Sequence, residues 1–234
     1  MINRWKKALS EKNFVISCVI GLVLIIISLV INYFAASYAL DKESNYVTDI
    51  ILSNIRTFNV DVLFMYGPLI LGLIITGTCI YEPRRIPLLL KSGAIFITIR
   101  AVFITFTHIG PYPDAAVLDS MDFNFIKTLT SSAHYFLISS GGDLFFSGHT
   151  GLPFLSSLLY WEIKPMRYLC LASSVFFGIL ALLGHLHYTI DVASAFFITY
   201  TIYVIIIKLL PYDVAMFEGK RFVSDNPVNN PIKV

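Results

Sequence analysis

Gly142-Asp143-Leu144-Phe145-Phe146-Ser147-Gly148-His149-Thr150 and, further on, His187-Tyr188-Thr189-Ile190-Asp191 each carry the chain from a polar loop into an apolar run, with a histidine at the junction. A histidine four residues before an aspartate is expected to share a helix face with it, so the carboxylate can orient and charge the ring. A second histidine on a glycine-hinged loop can supply the proton traffic that a nucleophilic histidine cannot perform for itself. Each string alone has a plainer reading: His149 as a loop residue capping the next helix, His187 and Asp191 as a hydrogen-bonded pair at a helix start. Together, at a membrane boundary, they point to phosphoryl chemistry on a lipid.

The membrane boundary follows from composition. Of 234 residues, 56% are hydrophobic and 14% charged, whereas soluble domains carry about 25% charged residues. A hydrocarbon core roughly 30 Å thick needs about 20 apolar residues per helical crossing. Six runs approach that length, at about 14–36, 60–80, 86–108, 149–163, 167–186 and 188–209, the fourth being the shortest. The expected fold is all-α and integral to the membrane: one bundle of six transmembrane helices over 1–234. Its core spans about 60–210, and a polar cytoplasmic tail, loosely ordered, runs from about 211 to 234.

Basic residues orient the bundle. With a cytoplasmic N-terminus, Arg4, Lys6, Lys7, Lys12, Arg84, Arg85, Lys91, Lys164, Arg167, Lys208, Lys220, Arg221 and Lys233 fall inside. Only Lys42, Arg56 and Lys127 fall outside, and Arg100 lies within the third span. This places both termini in the cytoplasm and makes the cations topological signals, with no nucleic-acid partner implied. Ser37-Tyr38-Ala39 would be a tolerable signal-peptide cleavage site, but the apolar stretch before it exceeds the usual 7–15 residues or so, and an uncleaved anchor is expected.

In this topology all five histidines (His108, His134, His149, His185 and His187) reach the outer face, with nine of the fifteen acidic residues, among them Asp114, Asp119, Asp122, Asp143 and Asp191. A titratable cluster at one membrane surface is a functional-site hypothesis by default. Arg100 joins it from the outer half of the third span. A charge there costs about 2.5–3.5 kcal/mol unless paired or wetted. The plain reading is a snorkelling or paired arginine; the functional one is a planar guanidinium facing the interior to grip a phosphate. His185, two residues from His187, is expected to point elsewhere and, with Asp143, to support the site from behind. His108 and His134 have no partner at a telling spacing. Cys18, Cys79 and Cys170 lie in apolar runs without metal-ligand spacing and read as small buried side chains. No Walker or dinucleotide loop is present.

The two histidine strings resemble the sphingomyelin synthase branch of the lipid phosphate phosphatase (PAP2) superfamily. Arg100, Thr107 and Pro111-Tyr112-Pro113 resemble that branch's third-span motif, with a looser proline spacing, so the similarity covers roughly 90–205. The resemblance implies a six-helix core with a His, His, Asp triad on the exoplasmic face. His187 would be the nucleophile that takes the phosphoryl headgroup, Asp191 its orienting carboxylate, and His149 the acid and then base. Arg100 would bind the substrate phosphate.

The superfamily's phosphatases carry a lysine-rich motif ending Arg-Pro and a Ser-Arg pair ahead of the nucleophilic histidine. Neither is present here, and the position six before His187 is Ala181. Fewer cations suit a phosphodiester better than a phosphomonoester, since each unpaired charge is expensive in a low-dielectric site. The animal enzymes carry an arginine where this chain has Thr201, ten residues past Asp191.

The expected activity is therefore transfer of a phospho-alcohol headgroup, phosphocholine or phosphoethanolamine in type, from a glycerophospholipid donor to a lipid alcohol such as ceramide or diacylglycerol. A phosphohistidine would be the intermediate, and neither metal nor cofactor is called for. The alternatives are a PAP2-type lipid phosphatase or phospholipase C-like hydrolase using the same residues, and a non-catalytic lipid-binding membrane protein.

Overall fold

The computed structural model describes residues 1–115 and 144–220, and every regular element among them is helical. In chain order these are α1 (Ile2–Ser10), α2 (Lys12–Asp41), α3 (Asp61–Tyr81), α4 (Ile86–Phe106), α5 (Gly148–Leu159), α6 (Lys164–Leu183), α7 (Thr189–Leu209) and α8 (Pro211–Phe217). Short 3₁₀ turns at Leu52–Asn54 and Pro83–Arg85 punctuate the connections. Proline in the first turn starts α4, α6 and α8, where its missing N–H would lack a partner in any case.

Five of these helices (α2, α3, α4 with its leading 3₁₀ turn, α6 and α7) are long and apolar enough to cross a bilayer, the pattern of a multi-pass membrane protein. The sixth expected run, 149–163, is helical only as far as Leu159, and its 12 residues span about 18 Å at 1.5 Å per residue. Instead of meeting lipid along its length, α5 buries Thr150, Gly151, Pro153, Leu155, Ser157 and Leu158 among α4, α6 and α7. Close approach is what makes this possible. A Cβ on Gly151 would fall 2.6 Å from Phe96 Cζ and 2.9 Å from Thr199 Oγ1, and one on Gly178 would fall 3.0 Å from Val192 Cγ1. Small residues at crossings let membrane helices approach closely enough for dispersion contacts to hold them.

Phe96, Phe146, Leu155, Tyr160, Phe177 and Ile202 lie at the centre of the main apolar core. The outward faces of α2 and α3 remain apolar and exposed, with Leu22, Ile26, Leu63, Ile70 and Leu73 among them; this is the surface a bilayer would cover.

The start of the expected tail is ordered, while residues 221–234 lie outside the described residues. Residues 211–217 form α8, whose Phe217 joins the main core. Its Asp213 carboxylate accepts from Lys91 Nζ at 2.7 Å and from the Ser17 hydroxyl, all three side chains being buried. Leaving either charge of such a pair alone would cost about 3–5 kcal/mol, so the ion pair ties α8 to α2 and α4. Cys170 is buried and Cys18 and Cys79 partly so, all as free thiols.

Candidate active site

One buried loop, Leu144 to Ser147, holds the two histidine strings and the arginine together. The Leu144 carbonyl accepts from His187 Nδ1 at 2.9 Å, and the Phe146 carbonyl accepts from Arg100 Nε at 2.9 Å. The Ser147 N–H donates to the carbonyl of Asp191 at 3.2 Å. Each buried backbone group of this loop needs a partner, and the partners it takes are the site residues themselves.

The loop ends by starting α5. Ser147, not His149, is the N-cap: its hydroxyl accepts from the Thr150 N–H and from the Thr150 hydroxyl, at 3.4 and 3.2 Å. Gly148 and His149 therefore occupy the first two helical positions, where backbone N–H groups have no carbonyl a turn earlier to bond. The Arg100 guanidinium runs alongside, since a Cβ on Gly148 would lie 3.4 Å from Arg100 Nε and 3.7 Å from its Cζ. Arg100 is only 9% exposed. The His149 ring stacks on Phe64 of α3, centroids 4.0 Å apart and planes 24° from parallel. Phe64 was not legible as a site residue; in sequence it is one aromatic within an apolar run.

His187 and Asp191 meet, but not by sharing a helix face. His187 precedes α7, and Tyr188, with extended backbone, is the N-cap. Asp191 stands at the third helical position and its Oδ2 reaches back to the Tyr188 N–H at 3.0 Å, completing one half of a capping box. The same oxygen lies 3.5 Å from His187 Nδ1. With Nδ1–H donated to Leu144, the lone pair of the neutral ring falls on Nε2, which accepts no hydrogen bond from the described residues. Asp191 is fully buried and its Oδ1 has no hydrogen-bond partner among the described residues.

Behind these groups a polar shelf anchors the start of α7. Asp49 accepts four hydrogen bonds, from the Thr189 N–H and hydroxyl at 2.7 Å each, Ile51 N–H at 2.9 Å and Leu52 N–H at 3.1 Å. Burial pushes its pKa up, but these donors together outweigh burial and hold the Asp49 carboxyl below its ordinary value. The Tyr188 hydroxyl donates to the Gly110 carbonyl at 2.8 Å. Burial, reinforced by the nearby Asp191 carboxylate, pushes that phenol up, although the Val47 N–H it accepts works the other way.

His185 does face away from His187. Its backbone is left-handed, φ 52°, and its Nδ1 shares a hydrogen with the Thr57 hydroxyl at 3.1 Å. Tyr112 links it to the site, packing edge-on against both His185 and Tyr188. His108 packs on Tyr38. Asp119, Asp122, Lys127, His134 and Asp143 lie outside the described residues, so Asp143's supporting role has no geometry to set beside it. Among the described residues no three His, Cys, Asp or Glu side chains gather as a metal set would.

No curated protein and no solved structure matches this chain. Residues 140–208, which carry His149, His187 and Asp191 but not Arg100, match the family model described as PAP2 superfamily C-terminal. The match covers less than a third of the chain, and over that segment, where the two histidine strings are bonded together, the chain is similar to the PAP2 superfamily.

Proposed function

We propose that this protein is a membrane phosphotransferase of the sphingomyelin synthase type, moving a phospho-alcohol headgroup from a glycerophospholipid to a lipid alcohol such as ceramide or diacylglycerol. The observation that carries the reading is the pinning of His187, Arg100 and the His149-bearing helix to the single loop 144–147. A nucleophile, a cation and an acid held by one short segment keep their spacing, which is what in-line phosphoryl transfer demands of a protein.

In this mechanism His187 Nε2 attacks phosphorus while its Nδ1–H stays on Leu144 and Asp191 balances the growing imidazolium charge. The bond from phosphorus to the diacylglycerol oxygen breaks, and His149 gives that oxygen its proton. Arg100 and the first amides of α5 meet the charge on the phosphoryl oxygens. The acceptor hydroxyl then attacks phosphorus, His149 takes its proton, and the phosphorus–nitrogen bond breaks to restore His187. The reading keeps six membrane crossings, with α5 as a short crossing shielded inside the bundle, and puts the site on the exoplasmic face because the basic residues collect on the other side.

The test is purified protein in liposomes with labelled glycerophospholipid and ceramide or diacylglycerol, resolving all products, with His187→Ala alongside. A labelled new lipid, lost in the variant along with any trapped phospho-enzyme, is the expected result. Free phospho-alcohol or phosphate in place of a new lipid makes the protein a hydrolase. No product at all leaves a lipid-binding protein. Turnover of His187→Ala within about tenfold of wild type moves the nucleophile elsewhere, since removing a true nucleophile leaves only residual catalysis.

A further inference from the structure

Helix α3 is nearly bare of buried side chains. Only Asp61, Phe64 and Leu71 are buried on it, all on one stripe, and the residues between them are partly or fully exposed. Spacings of three and seven put these three on one face, and that face points inward: Phe64 stacks on His149, and Gly67 lies against Phe177 of α6. The outermost residue of this inward stripe is an aspartate, 8% exposed, whose buried Oδ1 has no hydrogen-bond partner among the described residues. Residues three apart on a helix have Cβ atoms about 5–6 Å from each other. Asp61 is thus one turn outward from the ring that carries His149.

A first-turn carboxylate gains from the helix dipole, and the Asp61 N–H is itself satisfied by Asn59 Oδ1 at 3.1 Å. Neither accounts for a buried carboxylate oxygen that finds no donor among the described residues. Arg56, the nearest basic residue in sequence, lies over the Phe58 ring instead, 5.4 Å from its centroid. An orphaned buried acceptor in an otherwise apolar wall marks the place for a ligand donor.

We propose that Asp61 is the residue that selects the donor's headgroup, accepting a hydrogen bond from the primary ammonium of a phosphoethanolamine-type lipid. The inference rests on the transfer reading above. A phosphate held between His187 and Arg100 leaves the headgroup's far end to reach outward past His149, toward the outer end of α3. A primary ammonium brings three N–H donors for the orphaned oxygen. A quaternary ammonium brings none and is recognised by aromatic cages, and Phe64, the buried aromatic beside Asp61, already has a face against His149.

The experiment compares phosphatidylethanolamine, phosphatidylcholine and phosphatidylglycerol as donors in proteoliposomes, for wild type, Asp61→Asn and Asp61→Glu. Wild type should prefer ethanolamine to both other donors, and Asp61→Asn should lower the kcat/KM ratio of ethanolamine to glycerol lipid on the order of tenfold or more. Asp61→Glu, which keeps the charge, should restore part of that ratio. An unchanged ratio in Asp61→Asn, or a wild type that favours choline, overturns the proposal. A parallel arm measures the thermal shift of the detergent-purified protein with phosphoethanolamine against glycerol phosphate. If wild type turns over no lipid, the transfer reading fails, and this arm still decides Asp61. A shift specific to phosphoethanolamine and lost in Asp61→Asn supports it, and equal shifts or none overturn it.

Discussion

His187 donates its Nδ1–H to the backbone carbonyl of Leu144 at 2.9 Å, closer than the 3.5 Å that separates the same nitrogen from the Asp191 carboxylate. The hydrogen bond to the loop that leads to His149 sets the ring's tautomer, and in the proposed mechanism Asp191 would contribute charge more than orientation. Where a carboxylate is a histidine's sole acceptor, converting it to the amide leaves the wrong tautomer and costs about 10⁴ in kcat. Here Asp191→Asn keeps an oxygen for the Tyr188 cap and leaves Leu144 in place. The expected loss in kcat is about 10- to 100-fold, measured on the lipid donor in liposomes. A loss near 10⁴ would make Asp191 the orienting group after all.

His149 and Arg100 should separate by leaving group. A donor with a far better leaving group needs little protonation, so His149→Ala should recover headgroup release selectively on such a substrate. In the proposed mechanism Arg100 would meet charge that every donor shares; in the structure it holds the Phe146 carbonyl. Arg100→Lys is expected to lose on the order of ten- to a thousandfold on either donor. Equal rescue of both variants by the activated donor would remove Arg100 from phosphate binding.

Asp49 gives the structure an acid limb. Its pKa is depressed in the fold by the four donors it accepts, so the stability it contributes is present above the pKa of the unfolded chain and is lost as pH falls through the lower folded value. Thermal unfolding of the wild type should become easier as acidity increases across the carboxylate range. Asp49→Asn should flatten that dependence and lower stability at neutral pH by about 1–3 kcal/mol. A variant with an unchanged acid limb would assign the effect to other carboxylates.

Gly151 tests the close packing of α5. A methyl group there meets Phe96 and Thr199 at less than 3.0 Å, so Gly151→Ala should destabilise by about 1–3 kcal/mol. It should also lower kcat by shifting the helix that begins with His149. Unaltered melting and turnover would mean that α5 is not held as tightly as its contacts indicate.

Sidedness can be read by labelling. Cysteines at the exposed positions Ser44 and Asn54 should react with an impermeant thiol reagent in sealed cells, and one at Lys164 should not, on a background with the three native cysteines replaced by alanine. The reverse pattern would invert the topology and put the site on the cytoplasmic face.

Apolar run length and the sorting of charge are local, additive properties, and they made the helical architecture legible from the chain alone. The stretches expected at 60–80, 86–108 and 188–209 appear as α3, α4 and α7 with ends shifted by two residues at most. Both histidines stand at helix starts, as their place between polar loops and apolar runs foretold. Tertiary structure alone decided how they are held. The acceptors for His187 and Arg100 are the carbonyls of Leu144 and Phe146, and a carbonyl is the same atom at every position in a sequence. The same holds for Phe64 under His149 and for Asp61 beside it, since which side of an apolar helix faces inward depends on what packs against it. The burial of α8 was equally hidden: Asp213 reads as a polar tail residue until Lys91, more than a hundred positions earlier, arrives to neutralise it.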